Sequence, residues 1–199
     1  MTETSDSDLR ETVAALAHRV ALLEAQQEIR RLHHAYSYYL DKCHYSEVAA
    51  LFSDDGEVYF CGGLYKGRAG IDRLYVQRFG GRFVQGHDGP VFGFLLDHPQ
   101  FQDIVTVSDD LTTAQGRFRC VMQAGLHESA KETFPGQVSF DQWWEGGLYE
   151  NRYVNEDGIW KIQRLEYRPF WHGEFDKGWA RTSPMTGVIP TVTYPEDPL

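Results

Sequence analysis

The sequence predicts an α+β protein in which helices come first and a meander of antiparallel strands follows. Apolar residues keep a helical period as far as Phe79, then alternate with polar ones from Leu95 onward, with turn signals between the runs. Apart from one strand at Glu57–Cys61, the two patterns do not interleave, which argues against a parallel α/β sheet. The boundaries read as a disordered tail at 1–7, a single domain at 8–170 and a C-terminal extension at 171–199.

Leu9, Val13, Leu16, Val20 and Leu23 recur at spacings of four and three, a heptad stripe. From Gln27 the register passes to Ile29, Leu32, Tyr36 and Tyr39, and the helix closes on YYLDK. So short a stripe does not hold a coiled coil alone. It fits packing on another subunit of a homo-oligomer, dimer or trimer, and equally packing on the chain's own core. Tyr45 to Phe52 reads as a short helix stopped by SDDG, a turn signal ahead of a strand at Glu57–Cys61. Gly62-Gly63 turns the chain, and a third helix runs from Gly67 to Phe79 with Ile71, Leu74 and Val76 apolar.

The glycine-rich run over 81–97 reads mostly as loop. Strands follow at Ile104–Val107 and Thr113–Ala124. In the second, Phe118, Cys120, Met122 and Ala124 share one face, and Arg117, Arg119 and Gln123 the other. Residues 127–142 read as a long hairpin loop. Trp143–Val154 and Ile159–Tyr167 read as partners joined by the tight turn NEDG. In the tail, Trp171, Phe175 and Trp179 need a surface to lie on.

Composition narrows the function classes. A net charge of −10 without a basic run argues against nucleic acid and against anionic membranes. No apolar run approaches the roughly 18 residues of a spanning helix. The acidic, polar start MTETSDSD is unlike a signal or transit peptide, so a cytoplasmic location is expected. Cys43, Cys61 and Cys120 form no CxxC, which argues against a zinc ribbon or a disulfide framework. Aromatic residues make up 14% of the chain, enough for a core and for a pocket that takes a flat hydrophobic ligand.

Signatures for nucleotide binding, serine hydrolysis and zinc proteolysis are missing. His33 and His34 are adjacent on a helix and point apart, so they do not share a metal. His87 and His98, flanked by Asp88 and Asp97, match no specific metal-ligand spacing, and no metal is expected. Asp41 is the unusual residue. It falls at the C-terminal end of the first helix, where the helix dipole disfavours a carboxylate by a few tenths of a kcal/mol or about 1 kcal/mol. Its neighbours include Tyr36, Tyr38 and Tyr39. A bland account remains open in which Asp41 only pairs with Lys42.

The stretches LEAQQEIRRLHHAYSYYLD, EVAALFSDDGEVYF, GLYKGRAGI, DHPQFQDIVTVSDDLTTAQGRF and GGLYENRYVNEDGIWKIQRLEY resemble the polyketide-cyclase, or SnoaL-like, branch of the nuclear transport factor 2-like superfamily. The resemblance implies a cone: a strongly curved antiparallel sheet wrapped around three N-terminal helices, with an apolar pocket at its open end. Cofactor-free lyases of that branch, among them bile acid dehydratase, lindane dehydrochlorinase and scytalone dehydratase, place an Asp at the end of the first helix and a His before the strand meander. Asp41 and His98 fall at those positions, and Tyr36 matches a tyrosine of the bile acid enzyme. Arg164 is matched to an arginine near the end of the chain in the first two. Leu40 and Phe60 stand where scytalone dehydratase keeps two tyrosines, which argues against scytalone as substrate.

The resemblance implies Asp41, His98 and Tyr36 as catalytic residues and Arg164 as a substrate-binding one; Tyr149, Met122, Cys120, Phe118, Phe60 and Tyr59 are expected beside it as further substrate-binding residues. Asp41 would orient His98 as a general base, and Tyr36, Tyr149 and Arg164 would stabilise a developing oxyanion. The implied activity is a lyase without cofactor, acting on a small hydrophobic, aromatic, hydroxylated molecule. It would lose water, or release formaldehyde from a lignin-type phenolic diaryl compound by C–C cleavage. An isomerase or cyclase, or a non-catalytic binding or assembly protein, is the alternative.

Overall fold

The computed structural model describes residues 6–60, 62–130, 132 and 142–183. Helix α1 (Asp6–Asp41) has 36 residues, about 54 Å of helix. Its second half buries Ala25, Ile29, His33, Tyr36, Ser37 and Leu40, spaced three or four apart on one stripe. In its first half Leu9, Val13, Leu16, Val20 and Leu23 are all more than half exposed. The stripe therefore does not pack on the chain's own core. The helix also starts inside the segment expected to be a disordered tail.

Helix α2 (Tyr45–Ala50) leads into β1 (Phe52–Phe60) and the short β2 (Gly63–Lys66). The SDDG stretch does not form a separate turn. It lies inside β1 as an irregularity, where the register shifts between Phe52 and Glu57. Gly56 makes this possible, since a Cβ there would stand 2.9 Å from the Ser53 carbonyl and 3.2 Å from that of Ile162. Helix α3 (Gly67–Asp72) continues through a wider π-helical run at Arg73–Phe79 into α4 (Gly80–Val84). The π run swings Tyr75 into the core and leaves Val76 exposed, against the spacing read from the sequence.

Strands β3 (Phe94–Asp97), β4 (Gln100–Val107), β5 (Thr113–Leu126), β6 (Gln142–Glu156) and β7 (Ile159–Glu174) complete a sheet of seven strands among the described residues. The order is β2-β1-β7-β6-β5-β3, with β4 also on β5. All pairs are antiparallel except β1 with β7, so the sheet is mixed rather than purely antiparallel. Part of the predicted loop at 81–97 is α4 and β3, while most of the predicted hairpin loop at 127–142 lies outside the described residues. So does the tail beyond residue 183. Strand β7 runs past residue 170, and Trp171 lies within it.

One face of the sheet carries Phe118, Cys120, Tyr149, Tyr153, Ile162, Leu165 and Tyr167 onto α1 and the α3 segment, and these form the core. The opposite face carries a ladder of alternating charge: Arg117 to Glu150, Glu150 to Arg168, Arg168 to Glu166, Glu166 to Arg164, Arg164 to Glu57 and Glu57 to Lys66. Most of these side chains are partly buried at the rim of the outer face, and each pair is worth on the order of 1 kcal/mol. Their use is to keep the outer face polar, and so fix which face turns inward.

Candidate active site

Asp41 is the last residue of α1, and the chain leaves the helix through Cys43 at φ 56°. This left-handed exit turns the backbone toward α2 and leaves the Asp41 side chain at the edge of the concave sheet face. His98 lies between β3 and β4, ahead of Pro99, which restricts it to extended backbone. There the two meet. The His98 Nδ1–H donates to Asp41 Oδ1, and the His98 backbone N–H approaches Asp41 Oδ2 at 3.4 Å.

Every other polar group of His98 but one is also held. The Ser37 hydroxyl donates to its carbonyl at 3.1 Å, and the Gln100 amide donates to the same oxygen at 3.0 Å. With Nδ1 donating, the neutral ring carries a lone pair on Nε2. Nε2 is buried and has no hydrogen-bond partner among the described residues. A buried acceptor left unmatched costs about 1–3 kcal/mol. This atom is where a proton would be taken.

Behind the pair runs a second polar chain. Asn151 donates to His33 Nδ1 at 3.2 Å, and His33 Nε2–H donates to Gln100 Oε1 at 3.2 Å, so Gln100 is oriented with its amide on His98. Burial pushes the His33 pKa down to about 3, which keeps this ring neutral as the chain requires. Phe118 stacks on His33 with ring centroids 3.7 Å apart. Phe118 is thus a floor beneath the site rather than its wall.

Tyrosines gather beside the pair. The Tyr36 and Tyr75 hydroxyls are 3.1 Å apart, and the Tyr36 ring meets Tyr149 edge-on with centroids at 5.9 Å. Tyr149 in turn lies 4.8 Å from the Tyr167 ring, which stacks on Phe60. Burial raises the pKa of Tyr36, Tyr75 and Tyr149 above the usual phenol range. These groups are therefore O–H donors at ordinary pH and not bases. Cys120 is buried and Met122 half-buried on the same face, and burial holds the Cys120 thiol up at about 12. Among the described residues no group of three His, Cys, Asp or Glu side chains is placed to hold a metal ion.

Two expected pocket residues are elsewhere. Arg164 bonds Glu57 at 2.9 Å and Glu166 at 3.1 Å on the outer face. The cause is a bulge: Arg152 pairs with Arg164 but Tyr153 pairs with Ile162, so Gln163 is skipped and Arg164 no longer shares a face with Ile162. Tyr59 alternates with the inward Val58 and Phe60, pairs with Glu166 and is 39% exposed. Tyr75, Gln100 and Glu145 were not anticipated. Glu145 carried a readable signal, since it has the parity of Trp143, Gly147 and Tyr149 along β6.

Comparison with known proteins agrees with this architecture. A candidate scytalone dehydratase from Novosphingobium aromaticivorans DSM 12444 superposes with a TM-score of 0.63 at 21% identity, over 89% of this chain and 99% of that one. A type 2 hexachlorocyclohexane dehydrochlorinase, LinA, gives 0.60 at 19% identity, over 77% of this chain and 90% of its own. An NTF2-like protein with a cystatin-like fold from Novosphingobium aromaticivorans gives 0.57 at 21% identity, over 83% and 90%. At these identities the likeness is one of fold. No curated protein matches the chain. The family model of the SnoaL-like domain does match, over residues 21–166 from within α1 to within β7, and on that footing the chain belongs to the SnoaL-like domain family.

Proposed function

We propose that the protein is a lyase that works by general acid–base chemistry on a small hydrophobic, aromatic, hydroxylated molecule. The observation that carries this reading is the lone unpartnered atom of an otherwise fully held histidine, His98 Nε2, buried beside a carboxylate. Nε2 takes a proton from a carbon next to a carbonyl or phenol. Asp41 then faces an imidazolium, and their attraction replaces the unfavourable placement of Asp41 at the helix terminus. Negative charge developing on the substrate oxygen falls to the O–H groups of Tyr36, Tyr75 and Tyr149, since Arg164 does not reach the pocket. The electron pair left on carbon expels a hydroxyl. For release of formaldehyde Nε2 instead takes the O–H proton of a CH2OH group, whose oxygen pair becomes the C=O bond of formaldehyde while the C–C pair passes to a carbon conjugated with a carbonyl or quinone methide. The reading needs no cofactor. It places the protein as a homo-oligomer joined through the exposed stripe of α1.

The aldol of benzaldehyde and acetone, a benzylic β-hydroxy ketone, is a simple member of this substrate class, and its dehydration to benzylideneacetone is followed by absorbance. His98→Ala and Asp41→Asn, with near-wild-type circular dichroism, are each expected to lower turnover by about a hundredfold or more. Rates within about threefold of wild type in both variants would end the mechanism.

A further inference from the structure

Strands β3 and β4 keep one register against β5, with Leu96 opposite Ala124 and Gln100 opposite Cys120. That sets His98 level with Met122. Met122 pairs with Glu145 on β6, and Glu145 with His172 on β7. One row across the concave face therefore reads His98, Met122, Glu145, His172. The backbone positions of His98 and Glu145 are two strand spacings apart, roughly 10 Å, with Met122 between them in the row.

Glu145 is held in place. The Tyr167 hydroxyl donates to its Oε1 at 2.7 Å. Tyr167 reaches it because its ring lies across Gly147, where a Cβ would come within 2.6 Å of the ring and 2.7 Å of the hydroxyl. The groups that face Glu145 are Cys120 on β5 and Tyr167 and His172 on β7, with the Asp41–His98 pair beyond Met122. The outer-face arginines lie on the other side of the sheet, and among the described residues no lysine or arginine forms an ion pair with Glu145. Desolvation pushes its pKa up to about 7, with the Tyr167 hydrogen bond opposing. A carboxyl group in that state holds a proton it is able to give.

We propose that Glu145, fixed by Tyr167 on the concave face and level with His98, is the second proton-carrying group of the pocket and the acid that protonates the departing hydroxyl. This rests on the lyase reading above. His98 Nε2 takes the proton on carbon, the C–H electron pair becomes the new C=C bond, and the C–O bond breaks. The oxygen leaves as water with the proton from Glu145. The imidazolium and the Glu145 carboxylate then return to their starting forms by exchange with solvent, so protons balance over the cycle. Leaving groups that need no proton, such as chloride, bypass Glu145.

The test has two arms, so that the reading and the proposal fail separately. In the first, protein carrying 13C at glutamate carboxyl groups is titrated by NMR, with the Glu145 signal assigned by its loss in Glu145→Gln. A midpoint near 7 that moves further up in Tyr167→Phe is expected, and a midpoint in the ordinary glutamate range near about 4.3 would overturn the proposal whether or not any substrate turns over. In the second, the β-hydroxy ketone and its β-chloro counterpart are compared. Glu145→Gln is expected to slow loss of water by about a hundredfold and loss of chloride by less than about threefold, while His98→Ala slows both. Equal losses for the two leaving groups, or no loss for either, would overturn the acid role. No elimination by the wild type from either compound would contradict the lyase reading instead.

Discussion

His33 offers a test of the buried network that does not depend on knowing the substrate. It is fully buried, accepts from Asn151, donates to Gln100 and stacks on Phe118. Its pKa in the fold is about 3 against 6.5 when free. As pH falls below 6.5, the unfolded chain binds a proton at this residue and the folded chain does not until about 3. Stability therefore drops with falling pH through that window, by about 1 kcal/mol per pH unit from this group alone. That is a large share of the roughly 5–15 kcal/mol that holds a domain of this size. Glu145 contributes with the opposite sign, because its raised pKa makes stability fall as pH rises from about 4.5 to about 7.

His33→Asn and His33→Gln remove the titration and keep a polar side chain. Both are expected to be less stable than wild type at neutral pH, through lost stacking and packing. What decides the matter is the slope. Urea unfolding measured in steps between about pH 7 and about pH 5 should show wild type losing stability faster than either variant, by about 1 kcal/mol per unit. Contributions from Glu145 and His172 are common to all three proteins and cancel in the comparison. Parallel slopes would mean that His33 titrates normally, and would refute the neutral relay from Asn151 to Gln100.

Two further outcomes follow from the placement of other residues. Arg164→Met is expected to cost at most about 1 kcal/mol in thermal or urea unfolding and to leave turnover of the β-hydroxy ketone within about twofold of wild type; a loss of about a hundredfold would return Arg164 to the pocket. If the exposed α1 stripe joins copies of the chain as proposed, Leu16→Lys with Val20→Lys lowers the mass in light scattering to that of a monomer while leaving the circular dichroism intact; a wild type already monomeric, or an unchanged mass in the variant, would remove the α1 stripe as an interface.

The order of elements was legible because it is written in periods. The three-four spacing in α1 and the alternation along β5 each name an inward face, and the structure turns those faces inward from Ala25 on and from Ala114 on. Periodicity does not report local insertions. The skipped Gln163 reverses the parity of β7 beyond Ile162 and carries Arg164 outward. The π-helical run does the same for Tyr75 and Val76. The parallel pairing of β1 with β7 joins segments about a hundred residues apart, and no local pattern encodes it. Asp41 and His98 were reached through resemblance, and only the fold brings them into contact across 57 positions of sequence. Glu145 had the right parity, but a glutamate in a strand reads as a solvent-facing residue until its neighbours are known.

Proton removal by His98 is the central claim, and it is most directly tested without any leaving group. Benzylacetone, the saturated ketone, exchanges its protons next to the carbonyl with D2O when a base removes them, and NMR counts the deuterium gained. Wild-type protein is expected to accelerate the exchange, and His98→Gln to return it to the rate of buffer alone. Exchange by His98→Gln at the wild-type rate would contradict the account.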